Sequence, residues 1–180
     1  MSVLANQPAN INYLNPTGFR FQIKRLPNVN YFLQGATLPS VSVGSVEYDT
    51  PFGQVPQPGD KIIFDPLSIR FKVDEDLRNW IEIYDWLQAL GRPASYAQTR
   101  NFVNSNLGVR INHEQAIANL LSDATLTILT SHKNASMNVF FEGCFPMSLS
   151  ELSFDTAAES IVHLEAMATF RYRRFTIERI

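Results

Sequence analysis

Residues 67–93 read LSIRFKVDEDLRNWIEIYDWLQALGRP, and their periodicity changes once. Leu67, Ile69, Phe71 and Val73 alternate with Ser68, Arg70 and Lys72, the period of two that marks a half-buried strand. Beyond them Leu77, Trp80, Ile81, Tyr84, Leu87 and Leu90 recur at three- and four-residue steps, which places them on one face of a helix. Asp76 can accept hydrogen bonds from the free N–H groups of the first turn, while Asp74 and Glu75 set negative charge beside the positive end of the dipole. Gly91 can take the left-handed conformation that ends a helix, and Pro93 prevents its continuation. The predicted helix spans about residues 76–90. Burial of its apolar face contributes roughly 1.5–3 kcal/mol per large side chain, so a sheet or a second subunit must cover it. No other segment is as strongly helical.

The surrounding sequence reads as strands. Phe19, Phe21 and Ile23 alternate with Arg20, Gln22 and Lys24; a turn at Pro27-Asn28 then leads to a return strand over Val29–Thr37, which Pro39 breaks. Val41, Val43 and Tyr48 lie in a further extended run. In the C-terminal third, Asp123–Ser131, Met137–Phe145 and Met147–Phe154 read as strands. Ile161–Ile180 reads as one long final strand, with Leu164, Ala166, Ala168, Phe170 and Tyr172 on one face. The expectation is a mainly β domain, an antiparallel sandwich or barrel of seven to eight strands with one flanking helix.

Three segments stand apart. Residues 1–16 are polar, contain Pro8 and Pro16, and read as an extended N-terminal arm ahead of a single domain over 17–180. Residues 92–122, punctuated by Asn101, Asn104, Asn106 and Gly108, read as a surface insertion with a short helix over Glu114–Leu121. Thr50, Pro51, Phe52, Gly53, Gln54, Val55, Pro56, Gln57, Pro58 and Gly59 hold three prolines and two glycines and read as a loop, because proline removes ladder donors. Phe52 and Val55 make its tip apolar. Such a loop either folds onto its own domain or grips another subunit.

Composition excludes several classes. Fifteen Lys plus Arg against 17 Asp plus Glu give a net charge of −2, unlike a basic nucleic-acid reader. The basic end formed by Arg171, Arg173, Arg174 and Arg179 suits acidic partners as well as nucleic acid. A single cysteine, Cys144, set among Phe140, Phe141 and Phe145, excludes an intrachain disulfide and reads as a small buried hydrophobe. The N-terminus lacks a basic region followed by an apolar core, and no window approaches the ~20 apolar residues of a membrane span. Phosphate-binding glycine loops, Gly-x-Ser-x-Gly and His-Glu-x-x-His are all absent. His113, His132 and His163 lie in separate segments without metal-ligand spacing, and Asp74, Glu75 and Asp76 are explained by helix capping. Glu82 and Asp85 read as a solvated helix face. No catalytic, metal or cofactor site is expected, which leaves assembly. The alternative is a monomeric ligand-binding β-barrel, supported only by the aromatic content.

The order of elements resembles the tail-tube proteins of contractile-tailed bacteriophages, which share a fold with the ring protein of type VI secretion. The resemblance rests on residues 18–48, 60–90 and the terminal strands, about three quarters of the chain. Its short motifs are Ala36-Thr37-Leu38-Pro39 after the opening hairpin, and Phe145-Pro146-Met147-Ser148-Leu149 ahead of Phe154-Asp155. It implies a structural virion protein, made in the host cytoplasm, that forms six-fold rings stacking into the inner tail tube. It further implies contacts with itself, with sheath, tape-measure and baseplate proteins, and non-specific passage of DNA through the channel, without membrane insertion. The 50–59 segment would then reach a neighbouring subunit. The N-terminal arm and the 92–122 insertion depart from a plain tube subunit and leave open the tail-end roles of baseplate initiator and head-proximal terminator.

Overall fold

The computed structural model describes residues 11–91, Ala97, Thr99, Phe102, 120–156 and 163–180. In chain order its elements are β1 (Phe19–Ile23), α1 (Pro27–Phe32), β2 (Leu33–Ala36), β3 (Val41–Thr50), β4 (Gly53–Phe64), β5 (Leu67–Lys72), α2 (Arg78–Gly91), β6 (Ser122–Leu129), β7 (Ala135–Leu149), β8 (Glu165–Arg171) and β9 (Arg174–Arg179). The architecture is mainly β and antiparallel with helix α2 beside it, as the sequence predicts, and nine strands are described.

Strand β7 organises the molecule because it belongs to two sheets. Its first half pairs with β6 and β9, in the order β1-β6-β7-β9; its second half pairs with β8, in the order β7-β8-β5-β2. The change of partner falls at Gly143, whose φ of 63° lies in the left-handed region that favours glycine. The two sheets face each other through alternating residues: Phe21, Ile23, Ala124, Leu126, Val139 and Phe141 from one, and Leu67, Ile69, Phe71, Ala166, Ala168 and Phe170 from the other, all buried. Every second residue of β5 and β8 is inward, so the alternation read from Leu67–Val73 and from Leu164–Tyr172 places the core correctly. The final segment is two strands, however, separated at Tyr172–Arg173.

The start of the chain differs from expectation. Val29–Thr37 is not a return strand: Pro27 opens helix α1, Val29 is buried, and β1 pairs with β6 while β2 pairs with β5. Asn30 fixes this arrangement by donating to the Ile23 carbonyl and accepting from the Ile23 N–H, closing the end of β1 from the helix. Helix α1 has no side-chain cap of its own. Glu82 of α2 reaches this end, accepting from Asn28 Nδ2 at 2.6 Å beside the backbone N–H groups of Asn28 and Val29, which also favour its charged form. Glu82 is therefore half-buried rather than part of a solvated face, and burial raises its pKa against the lowering effect of these hydrogen bonds.

Helix α2 is rotated from the predicted face. Asn79, Ile83, Trp86 and Ala89 are buried, whereas Ile81 and Tyr84 are 42% and 43% exposed. Asn79, a polar residue, anchors the strand-to-helix passage: its Nδ2 donates to the Lys72 carbonyl at 2.7 Å, and it exchanges hydrogen bonds with Asp74. Asp74, not Asp76, thus serves the first turn, while Asp76 pairs with Arg78 at 2.8 Å. Gly91 is helical and is not in the left-handed region. Trp86 packs on Phe170, stacks on Phe102 and donates to the Leu120 carbonyl; Thr99 donates to the Ala89 carbonyl. These described parts of 92–122 therefore cover α2, and the helix expected over Glu114–Leu121 lies largely outside the described residues. Arg25 lies over the rings of Trp86 and Phe102 at 5.5 and 4.9 Å, and burial lowers its pKa.

Candidate assembly interface

The segment expected to be a loop is most of a strand. β3 and β4 form a two-stranded sheet of their own, joined by a two-residue turn at Pro51-Phe52. The prolines are accommodated by register. Thr50 and Gly53 flank the turn and form a hydrogen-bonded pair, so Glu47–Pro56 and Ser45–Pro58 fall at non-hydrogen-bonded pairs. There the N–H that proline lacks would point away from the partner strand, and neither Pro56 nor Pro58 breaks the ladder. At the tip, Pro51 suits the second turn position, Gly53 has a φ of 150°, and the Thr50 hydroxyl donates to the Gly53 carbonyl at 2.6 Å.

The hairpin projects from the sandwich. Twelve residues of β4 span about 40 Å at the usual rise per residue, and nearly every residue of both strands is exposed. The pairing puts Val46, Tyr48 and Val55 on one face of the outer half, with Ser45, Glu47, Asp49, Gln54, Pro56 and Pro58 on the other. Nearer the sandwich the apolar surface changes face, to Val41, Val43, Ile62 and Phe64. The change coincides with a bulge between Val43 and Ser45, where the backbones of Gly44 and Gly59 meet. A Cβ at Gly59 would lie 2.5 Å from the Gly44 carbonyl oxygen, so only glycine fits. Phe52 at the tip is fully exposed. An isolated two-stranded hairpin is at best marginally stable, and one with apolar residues on both faces needs a covering surface.

The remaining candidates form no chemical site. Cys144 is fully buried, and burial, with Asp123 nearby, pushes its thiol up to about 12, as fits a core residue and not a nucleophile. His132 and His163 are exposed in different segments, and His113 lies outside the described residues. No group of three metal-ligating side chains occurs among the described residues. The sandwich interior is filled by Phe21, Phe71, Phe141 and Phe170, with Trp86 beside them, so these aromatics serve packing. An open groove of about 500 Å³ lies at the rim, between Tyr13-Leu14 and Ile128, His132 and Met137. No helix among the described residues is long and apolar enough to cross a membrane. At the C-terminal end, Arg174 is held by Glu142 through two hydrogen bonds of 2.8 and 3.1 Å.

A model of the phage tail tube protein family matches residues 3–178. The chain is 27% identical over 175 residues to the tail tube terminator protein of Enterobacteria phage T4, covering 93% of this chain and 90% of that protein. Its fold is similar to the tube-terminating cap of the anti-feeding prophage, with a TM-score of 0.58 and 15% identity across the whole of both chains. It is also similar to a chain of the sheath–tube complex of PVC, an extracellular contractile injection system, in its extended state. That match has a TM-score of 0.56 and 15% identity, covering 100% of this chain and 99% of the other.

Proposed function

The chain belongs to the phage tail tube protein family, and on that premise we propose that it is a structural end protein, the terminator of a contractile tail's tube at the head-proximal end. The observation that carries this reading is the nearly full-length similarity to the terminator of phage T4. The fold shared with the anti-feeding prophage cap accords with it. The terminator is preferred here to the tube subunit expected from element order, because a relative 27% identical over nearly the whole chain is an end protein.

In this reading copies of the chain close into one ring, six-fold like the tube it meets, and the ring sits on the last ring of the tube. The hairpin, residues 41–64, is the contact arm: Thr50–Gly59 at its outer end and the exposed Val46, Tyr48, Phe52 and Val55 are covered on assembly. Sheath and tape-measure proteins are the neighbouring partners, and DNA passes through the ring without sequence recognition. A closed ring also pairs or covers sheet edges that a lone β domain leaves open.

Mixing the purified protein with preformed tubes and imaging by electron microscopy tests the assignment. The expected result is one added layer at a single end and no tube from this protein alone. Indefinite self-stacking would establish a tube-body subunit instead, the reading that similarity to the PVC sheath–tube chain favours. A stable monomer that binds no tail component would count against both.

A further inference from the structure

We propose that Tyr172 is a positioning residue that sets the direction in which the β3–β4 hairpin leaves the sandwich, across a joint formed by Pro39 and Pro66. The proposal rests on the reading of the hairpin as the contact arm.

The hairpin is not a separate appendage but the continuation of the β2–β5 pair. On the sandwich side Ala36 is opposite Ile69, and Thr37 donates its N–H to the Ser68 carbonyl at 3.0 Å. On the hairpin side Asp65 donates its N–H to the Ser40 carbonyl at 3.1 Å, and Val41 is opposite Phe64. The same register holds on both sides, so the two strands cross together. Carried through the crossing, that register sets Pro39 opposite Pro66. In the phase set by the hydrogen-bonded Thr37–Ser68 pair, that level should carry ladder bonds, and neither proline has an N–H to donate, so the ladder is interrupted there on both strands. A ribbon interrupted in this way can bend there, and its direction must be set by other contacts.

Those contacts converge on Tyr172. Its hydroxyl donates to the Asp65 carbonyl at 2.8 Å, just past the joint. Its ring is held by the body of the protein: it is 8% exposed and lies edge-on to Phe141 with centroids 5.1 Å apart. Phe64, the last residue of β4, extends the same cluster, 6.0 Å from Tyr172 and 5.4 Å from Phe175. The Ser40 hydroxyl donates to the Asp65 carboxylate and ties the two strands to each other on the hairpin side. The sandwich thus reaches across the joint with one directed hydrogen bond, from a ring that packing fixes in place. Burial, with the Asp65 charge, pushes the Tyr172 hydroxyl up to about 12, so it remains a donor at every physiological pH. Pre-setting the arm lowers the ordering cost of assembly.

The test is Tyr172→Phe, which keeps the ring and removes the donor. Three readouts are compared with the unmodified protein: melting temperature, amide hydrogen exchange by segment, and the protein concentration that half-saturates the ends of preformed tubes. The expected pattern is a nearly unchanged melting temperature, faster exchange confined to 41–64, and a half-saturating concentration raised on the order of tenfold, the scale of one lost hydrogen bond. Ser40→Ala, at an exposed position, should move exchange and capping the same way by less. Uniformly faster exchange with a lowered melting temperature would mean a merely structural role and overturn the proposal; so would wild-type capping by both variants. Phe52→Asp separates this from failure of the arm itself. If Phe52→Asp blocks capping while Tyr172→Phe caps normally, the arm stands and the positioning role falls. If Phe52→Asp also caps normally, the contact-arm reading fails, and this proposal with it.

Discussion

Gly143 and Cys144 are adjacent and show how single residues shape this sandwich. Gly143 lets β7 leave one sheet and join the other, and any L side chain there must occupy a left-handed conformation at about 1–2 kcal/mol. Its Cβ would also press on the Arg173 side chain at 3.3 Å. Gly143→Ala is therefore expected to lower the denaturation midpoint by at least that energy, measured by urea unfolding. Cys144 is buried on the next residue of the bend. Below pH 9 the thiol is protonated in both folded and unfolded chains, and its burial carries no penalty. Above pH 9 the unfolded chain loses the proton while the folded chain holds it up to about 12, so stability falls as pH rises through that window. Tyr172 adds the same sign of dependence between pH 10 and about 12. Unfolding midpoints at pH 8 and pH 10.5 should show the loss, and Cys144→Ala should flatten it. A disulfide-exchange reagent should react with the native thiol only after denaturant is added.

At the scale of elements, the helix shows what periodicity can and cannot convey. The three- and four-residue spacing of Leu77, Trp80, Ile81, Tyr84, Leu87 and Leu90 identified a helix and placed it correctly to within two residues. It did not identify the buried face, because α2 carries apolar residues around more than half its circumference. Trp86 and Ile83 point into the sandwich, and Asn79 shares their face because its amide is satisfied by Lys72 and Asp74. A buried polar anchor of this kind has no hydrophobic signature. Trp86→Ala is expected to cost about 3–5 kcal/mol, whereas Tyr84→Ala and Ile81→Ala should each change stability by about 0.5 kcal/mol or less; chemical denaturation of the three variants distinguishes the faces. The hairpin was legible in a different way. Pro56 and Pro58 excluded a central strand, and the structure agrees, since among the described residues β4 pairs only with β3. They did not exclude a strand altogether, because whether a proline breaks a ladder depends on which pairs carry hydrogen bonds. That in turn depends on the two-residue turn at Pro51-Phe52.

For the whole molecule, the exposed hairpin and its fully exposed Phe52 are the surface that the proposed ring assembly would cover. Phe52→Asp is expected to abolish capping of tube ends in electron micrographs while leaving the circular dichroism spectrum and melting temperature of the free subunit unchanged. Unfolding of that variant would place the tip in the protein's own core and remove the arm reading. The sequence by itself determined the mainly β class, the flanking helix, the inward residues of β5 and β8 and the buried state of Cys144. These follow from local period and composition, and local rules act within a few residues. Only the tertiary structure decided that β1 pairs with β6, that Val29 lies in a helix turn and not in a strand, and which side of α2 is buried. It also decided that the ribbon of β2–β5 continues into β3–β4 across two opposed prolines. Each of these depends on contacts between residues far apart in sequence, from Ile23 with Ala124 to Asp65 with Tyr172, and no local pattern encodes the partner. The opening segment 67–93 contains both kinds of information: its periods fix a strand and a helix, while the rest of the fold decides what each one faces.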